Sequence, residues 1–269
     1  MRGARRSSER GGLNLIDCKK YANEILDSIT GHGYLAVISV GEDPASMSYI
    51  RGKKKDCERV GFGFSHYGFQ ATAKEEEVLS IIDYLNTQSD VTGIIVQLPL
   101  PDHLDADRIC AHIVPEKDVD GFVPGSPFKP CTPEGIVYLM KRELGDLTGK
   151  TATIIGRGRL VGRPLMQMLL NENMTITVCH SKTNVTDIVE YSGMSDVTIA
   201  AIGKARSLGL FTKRGAIVID CGVNRDENGK LCGDVGYSAT ERITPVPGGV
   251  GLLTRAMLMK HVERRKMEV

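Results

Sequence analysis

The sequence lacks a surplus of charge of either sign, because 34 basic side chains nearly balance 33 acidic ones and leave a net charge of +1. A chain without a strong field has no general attraction to nucleic acid or to an anionic membrane. It also lacks any apolar run near the roughly 18 to 20 residues of a membrane-spanning helix. These absences predict a protein that binds neither nucleic acid nor membrane, and whose partners are small molecules or copies of itself.

Paired cysteines are absent too, since the seven cysteines are scattered and none belongs to a CxxC pair. This distribution favours reduced thiols and a cytoplasmic location over a disulfide framework, and we predict no metal site. The first dozen residues, MRGARRSSERGG, have the Arg and Ser content of an organelle-targeting peptide but no apolar face. The missing face favours a disordered tail or residues foreign to the natural chain.

Apolar segments of strand length recur along the chain and are nearly continuous, as in strands that are covered on both faces. Helical patterns lie between them; in residues 74–87, for example, Val78, Ile82 and Leu85 follow the spacing i, i+4, i+7. The alternation predicts an α/β protein with parallel sheets wrapped by helices. The predicted strands are residues 34–40, 93–98, 151–156, 175–180, 197–203 and 216–222.

Two clusters rich in proline and glycine divide the chain into lobes. The segment 118–132, DVDGFVPGSPFKPCT, has the texture of a crossover between lobes, and TPVPGGVG (244–251) precedes a last helix from Leu252 to about Arg265. We expect a first domain over residues 13–125, completed by the returning helix 252–269, and a second domain over residues 126–251.

A glycine-rich turn follows the predicted strand 151–156. Gly156, Gly158 and Gly162 stand between that strand and a helical run, where glycine lets the backbone approach a pyrophosphate at a helix N-terminus. The spacing GxGxxxG differs from the common dinucleotide fingerprint, and a tight strand-to-helix turn without a ligand is the alternative. We predict a Rossmann-type dinucleotide-binding domain.

The next strand points to NADP as the dinucleotide. An NAD site places Asp or Glu at the end of that strand, but here His180, Ser181 and Lys182 follow it. Together with Arg157 in the glycine turn, these residues supply donors and positive charge for an additional phosphate. An ordinary exposed arginine is the alternative for Arg157.

The catalytic candidates lie in the first lobe. After a turn at Asp43 and Pro44, a polar helix carries Tyr49 and Lys53 four residues apart on one face. A lysine within KKK is more often a solvated residue than a catalyst. Gln97 ends a buried strand, which suits either a ligand site or a satisfied edge amide.

Together these segments resemble the bifunctional methylenetetrahydrofolate dehydrogenase/methenyltetrahydrofolate cyclohydrolase family. The matching stretches run in the family's order from about residue 35 onward: VGEDPAS with YIRGK, VQLPLP, PEKDVDGF, PCTPEGI, GRGRLVGRP, CHSKT, GAIVIDCGVN and ITPVPGGVG.

The resemblance implies a role for each matched residue. Lys53 is the acid/base group of hydrolysis, Gln97 supports it, Tyr49 lines the folate site, and Asp120 binds the pterin, which leaves Asp118 a structural role. Further substrate-binding residues are Leu98, Pro247, Gly248 and Gly251. The cofactor-binding residues are Gly156, Arg157, Gly158, Val161, Gly162, His180, Ser181, Gly222 and Val223.

The implied function is oxidation of 5,10-methylenetetrahydrofolate with NADP, followed by hydrolysis to 10-formyltetrahydrofolate, in a homodimer. The P-loop pattern is absent, so we predict no synthetase activity in this chain. Three departures stand out: Gly158 replaces a serine, Leu252 and Leu253 replace Pro-Met, and the segment after Asp120 is shortened. The alternatives are a dehydrogenase-only variant and a degenerate paralogue that acts as a folate or dinucleotide sensor.

Overall fold

The computed structural model describes residues 14–239 and 242–264, so the predicted tail, residue 13 and residues 265–269 lie outside the described residues. The chain divides into two compact units. Of the described residues, the six-stranded unit contains 14–17, 147–239 and 242–249, and the three-stranded unit contains 18–146 and 250–264.

Strands and helices alternate through both units. The strands are β1 Asn14–Leu15, β2 Tyr34–Val40, β3 Gly63–Phe69, β4 Gly93–Val96, β5 Thr151–Ile155, β6 Thr175–Cys179, β7 Val197–Ala200, β8 Leu208–Phe211, β9 Ile217–Asp220, β10 Asn224–Arg225, β11 Leu231–Cys232, β12 Val235–Ala239 and β13 Arg242–Ile243. The helices are α1 Cys18–Asp27, α2 Pro44–Val60, α3 Glu75–Thr87, α4 Ala106–Ala111, α5 Cys131–Leu144, α6 Gly162–Asn171, α7 Val185–Met194 and α8 Val250–Val262, with a 3₁₀ turn at Pro115–Lys117.

The three-stranded unit is a parallel sheet in the order β3-β2-β4, covered by helices. Ile38, Ile82 and Ile94 are fully buried in its core, because β2 and β4 are apolar on both faces and α3 turns its apolar stripe inward. The last helix, α8, packs against α1, α2 and α5. The C-terminal helix therefore returns to the N-terminal part of the chain.

The six-stranded unit is a parallel sheet in the order β1-β13-β9-β7-β5-β6. After β5 the chain adds β6 on one side and then crosses to β7 on the other. Open α/β sheets bind ligands beyond the carboxyl ends of the strands at such a switch point. The turn from β5 to α6 is thus the expected ligand site of this unit.

The predicted fold class and returning helix are confirmed, and all six predicted strands are present with ends that differ by at most three residues. Periodicity did not identify β3, because its segment GFSHYGF contains two glycines and is only half buried. The compact units divide at Asp146 and Leu147, since α5 packs on α8. The predicted domain limits of 13–125, 126–251 and 252–269 stay a prediction.

The seven cysteines are all free thiols. No helix within residues 14–239 and 242–264 is long and apolar enough to cross a membrane.

Candidate active site

Helix α2 presents two of the predicted catalytic residues. It begins where the sequence indicates, because the Asp43 carboxylate accepts a hydrogen bond from the backbone N–H of Ser46 at 2.7 Å and Pro44 occupies the first helical turn. It ends at Gly61, whose φ of +75° suits the left-handed conformation of a helix C-terminus. The helix holds Tyr49 and Lys53 on one face.

Lys53 differs from its neighbours in the KKK run. It is 8% exposed, whereas Lys54 and Lys55 are exposed. Its Nζ donates to Oε1 of Gln97 at 3.0 Å. The Gln97 amide is held in turn, because its Nε2 donates to the carbonyl oxygen of Leu98 at 2.8 Å. The structure therefore brings Lys53 and Gln97 together in a fixed geometry.

The surroundings of Lys53 favour its neutral amine. Burial lowers the pKa of Lys53, the Asp120 carboxylate raises it, and the Arg255 guanidinium lowers it. Two thiols also face the amine, but burial raises the pKa of Cys57 to about 12 and raises that of Cys131 well above its usual value. A buried amine with a lowered pKa can both take up and return a proton.

The two aspartates of the DVDG motif lie in different settings. Asp118 is 3% exposed and accepts hydrogen bonds from the backbone N–H of Gly121 at 3.2 Å and of Val123 at 2.7 Å. These bonds suit the structural role expected of it. Burial raises the pKa of Asp120, and Lys53 and His261 oppose that shift. Asp120 thus lies within the electrostatic reach of Lys53, as a substrate-binding carboxylate would.

Two charged residues that sequence reasoning missed belong to the same region. Nε of Arg255 lies 2.8 Å from Oδ2 of Asp56, and both side chains are largely buried. Gly251 stands four residues before Arg255 on α8, and a Cβ added to it would lie 3.2 Å from the Tyr49 hydroxyl. The i, i+4 spacing of Gly251 and Arg255 places both on one face of α8, but it does not indicate which element that face contacts.

His261 is a third missed residue. Its Nε2 lies 2.7 Å from a carboxylate oxygen of Glu134, and its Nδ1 lies 2.8 Å from the carbonyl oxygen of Val119. Phe128 stacks on its ring at a centroid distance of 4.7 Å. His261 on α8 therefore contacts Val119 just before the shortened segment, Phe128 near its end, and Glu134 beyond it on α5.

The glycine turn of the six-stranded unit has the predicted shape. Gly156 has a φ of +118°, and a Cβ there would collide with the carbonyl oxygen of Ala201. A Cβ at Gly162 would collide with the carbonyl oxygen of Gly156. The turn leads into the N-terminus of α6, so its backbone can approach a phosphate closely.

The residues predicted to recognise the additional phosphate surround this turn. Arg157 and Ser181 are exposed, and His180 is half buried with its Nδ1 accepting a hydrogen bond from the Lys182 backbone N–H at 3.2 Å. No carboxylate follows β6. The glycine turn leaves room for the pyrophosphate of NADP, and the positive charge of Arg157 and Lys182 suits its additional phosphate.

The other predicted cofactor residues lie at the ends of neighbouring elements. Val161 precedes α6, and Gly222 and Val223 follow β9. Gly222 is buried where a Cβ would meet Asp234, whereas Val223 is 50% exposed. Asp234 accepts hydrogen bonds from the backbone N–H groups of residues 202–204, at 2.7 to 3.1 Å, and so shapes the loop after β7. Pro247 and Gly248 are exposed.

Two family models match this chain. Residues 16–120 match the catalytic domain of tetrahydrofolate dehydrogenase/cyclohydrolase. Residues 130–268 match the NAD(P)-binding domain of the same family.

Individual relatives are similar to this chain along nearly its whole length. The bifunctional protein FolD of Agathobacter rectalis is 44% identical over 92% of this chain and 97% of its own length. The crystal structure of the bifunctional enzyme FolD from Campylobacter jejuni has a TM-score of 0.82 at 40% identity, covering 93% of this chain and 97% of that one. The Trypanosoma brucei enzyme, complexed with NADP and an inhibitor, has a TM-score of 0.83 at 30% identity, covering 93% and 96%.

Proposed function

Because this chain belongs to the tetrahydrofolate dehydrogenase/cyclohydrolase family, we propose that it oxidises 5,10-methylenetetrahydrofolate with NADP and hydrolyses the methenyl product to 10-formyltetrahydrofolate. The observation that carries the hydrolytic half is the buried Lys53 amine, held 3.0 Å from Gln97. We assign Lys53 as the acid/base residue and Gln97 as the group that positions it.

Hydrolysis requires proton transfer in both directions. As the water oxygen bonds to the methenyl carbon, the neutral Lys53 amine accepts a proton from the water. When the bond from that carbon to the ring nitrogen breaks, the ammonium returns a proton to the nitrogen, and the net reaction releases one proton to solvent. The lowered pKa of Lys53 supports this role, because it increases the fraction of the amine that is neutral at a given pH.

Substrate recognition is assigned to Tyr49 and Asp120. A carboxylate can accept two hydrogen bonds from the donor-rich edge of a pterin, which suits Asp120. Tyr49 lies on the same face of α2 as Lys53 and is proposed to line the folate site. Leu98, Pro247, Gly248 and Gly251 remain predicted substrate-binding residues.

The dehydrogenase half needs positioning more than acid/base chemistry. The chemistry that NADP supplies when bound is acceptance of a hydride from the methylene carbon. Gly156 and Gly162 would admit the pyrophosphate to the N-terminus of α6, and Arg157 and Ser181 would contact the additional phosphate. The proposed cofactor site is completed by five further residues: Gly158, Val161, His180, Gly222 and Val223.

We further propose that the enzyme is a cytoplasmic homodimer that binds neither nucleic acid nor membrane. The nearly balanced charge supports the absence of nucleic-acid and membrane binding, the scattered cysteines support the cytoplasmic location, and the family resemblance supports the homodimer. Light scattering of the purified protein would test it, with a particle of twice the chain mass of 29.3 kDa as the expected result.

Lys53→Met tests the mechanism. Methionine keeps most of the buried stem and removes the amine, so hydrolysis should fall about 10² to 10⁴-fold while dehydrogenase activity falls far less. Absorbance of NADPH and of the methenyl product is followed in one reaction, and the methenyl product should accumulate. Lys54→Met, at the adjacent exposed lysine, is the matched control. Equal losses in both activities would show that Lys53 binds substrate or supports the fold instead.

A further inference from the structure

Helices α2 and α8 meet through a small set of residues with matched spacing. Tyr49, Gly52, Lys53 and Asp56 stand at i, i+3, i+4 and i+7, so they share one face of α2. On α8, Gly251 and Arg255 are four residues apart. Gly251 approaches the Tyr49 hydroxyl, and Arg255 approaches Gly52 and Asp56. Arg255 thus lies on the α2 face that presents Lys53.

Gly52 makes room for the guanidinium of Arg255. A Cβ at this position would collide with Nη1 of Arg255, so no other residue fits without displacing the arginine. Gly52 directly precedes Lys53 in the helix. The absence of a side chain therefore lets a cation pack against the backbone beside the catalytic amine.

Asp56 anchors this cation. Its Oδ2 lies 2.8 Å from Nε of Arg255, with side-chain exposures of 14% for Asp56 and 23% for Arg255. Burial raises the pKa of Asp56, and Arg255 lowers it by its charge and hydrogen bond. The pair is shielded enough from solvent for its charges to act on a near neighbour.

Two of the groups facing Lys53 act on its pKa in opposite directions. Cys57 and Cys131 are neutral thiols near neutral pH, because burial raises the pKa of both. Burial raises the pKa of the Tyr49 phenol, although Arg255 lowers it, so the phenol is neutral as well. The other two groups are Asp120, whose carboxylate form favours the ammonium form of Lys53, and the Arg255 guanidinium, which favours the neutral amine.

We propose that Arg255, anchored by Asp56 and admitted by Gly52, is a positioning residue of the cyclohydrolase step that sets the pH range in which Lys53 accepts a proton. The inference rests on the proposed role of Lys53. It assigns a function to two residues, Asp56 and Arg255, that do not need to touch the substrate.

Two substitutions that break the same ion pair should shift the pH profile in opposite directions. Arg255→Met removes the cation, so the acidic limb of the cyclohydrolase pH profile should move to higher pH by about half a unit or more. Asp56→Asn leaves the guanidinium without its counter-charge, so the limb should move to lower pH. A purely structural role would change rate or stability in both variants without opposite shifts.

The experiment follows hydrolysis of supplied methenyltetrahydrofolate between pH 5.5 and 9, with spontaneous hydrolysis subtracted. Arg255→Lys keeps the charge and should return the limb to near the wild-type position. Limbs that do not move, or that move in the same direction in Arg255→Met and Asp56→Asn, overturn the inference. If Arg255→Met does not fold, Asp56→Asn alone decides: an acidic limb that stays at the wild-type pH or moves to higher pH in this variant overturns the inference.

Lys53→Met separates this inference from the proposed function. A wild-type limb that disappears in Lys53→Met supports the assignment of the limb to Lys53. An acidic limb that persists in Lys53→Met overturns both the proposed mechanism and the role of Arg255. A limb that disappears in Lys53→Met but does not move in Arg255→Met overturns the inference about Arg255 alone.

Discussion

At the scale of single residues, the three glycines of the β5–α6 turn are under different steric constraints. Gly156 and Gly162 stand where a Cβ would strike backbone oxygens, whereas a Cβ at Gly158 would meet nothing within 4 Å. The φ of Gly158 is also outside the positive region. The backbone conformation at position 158 therefore does not require glycine, and a serine, the residue usual in the family at this position, would fit.

We predict that Gly158→Ser strengthens NADP binding. One additional hydrogen bond to a phosphate contributes roughly 0.5 to 1.5 kcal/mol, so the KM for NADP should fall about two- to tenfold. Gly209→Ser is the matched control, because that glycine on β8 also has open space and lies outside the proposed cofactor residues. An unchanged KM in Gly158→Ser would contradict contact between this position and the phosphates.

At the scale of elements, α8 is fastened at its C-terminal end by Glu263. The Glu263 carboxylate accepts hydrogen bonds from the backbone N–H groups of Thr30 and Gly31, both at 2.9 Å, and pairs with Lys260 at 2.7 Å. Burial opposes ionisation, but these contacts outweigh it and lower the pKa of Glu263 to about 2. The end of α8 is thereby tied to the turn before β2.

We predict that Glu263→Gln lowers the free energy of unfolding at pH 7 by roughly 1 to 3 kcal/mol. A carboxyl group whose pKa is depressed by folding stabilises the protein above its unfolded value of about 4.5, and this contribution is lost as pH falls toward 2. Urea unfolding at several pH values measures the difference, which should shrink below about pH 4.5.

Glu58→Gln serves as the control for Glu263→Gln. Glu58 is exposed and lies 4.0 Å from Lys54, so its removal should change stability by less than about 0.5 kcal/mol. A difference between Glu263→Gln and wild type that persisted unchanged at low pH would show that the carboxylate charge is not the source of the stability.

At the scale of the whole molecule, the proposed hydrolytic and cofactor residues belong to different compact units. Lys53 and Gln97 lie in the three-stranded unit, and the glycine turn lies in the six-stranded unit. The two activities should therefore be separable by substitution in either unit.

We predict that Arg157→Ala and Lys53→Met have reciprocal effects. Loss of a charged contact to the phosphate costs roughly 1.5 to 3 kcal/mol. Arg157→Ala should therefore lower the kcat/KM of the dehydrogenase for NADP about tenfold or more and reduce the preference of the enzyme for NADP over NAD. Hydrolysis of supplied methenyltetrahydrofolate, assayed without NADP, should be unchanged in Arg157→Ala and strongly reduced in Lys53→Met. Parallel losses of both activities in Arg157→Ala would contradict this division.

Several features could be predicted because each depends on residues that are close along the chain: the alternation of strands and helices, the start of α2 after Asp43 and Pro44, the glycine turn and the family resemblance. Tyr49 and Lys53 could be placed on one face from helical spacing alone. The position of Gly156 between a strand and a helix could also be predicted, whereas its φ of +118° and its close approach to the Ala201 carbonyl oxygen come from the structure.

The burial of one lysine of the KKK run depends on long-range packing, since Lys53 bonds to Gln97, which follows β4 and is 44 residues away along the chain. Asp56 and Arg255 are separated by most of the chain, and neither pattern nor spacing within α2 indicates their pairing. Burial and charge pairing between distant segments depend on packing, which local periodicity does not encode. For the same reason, the electrostatic surroundings of Lys53 depend on the packing of α8 against α2.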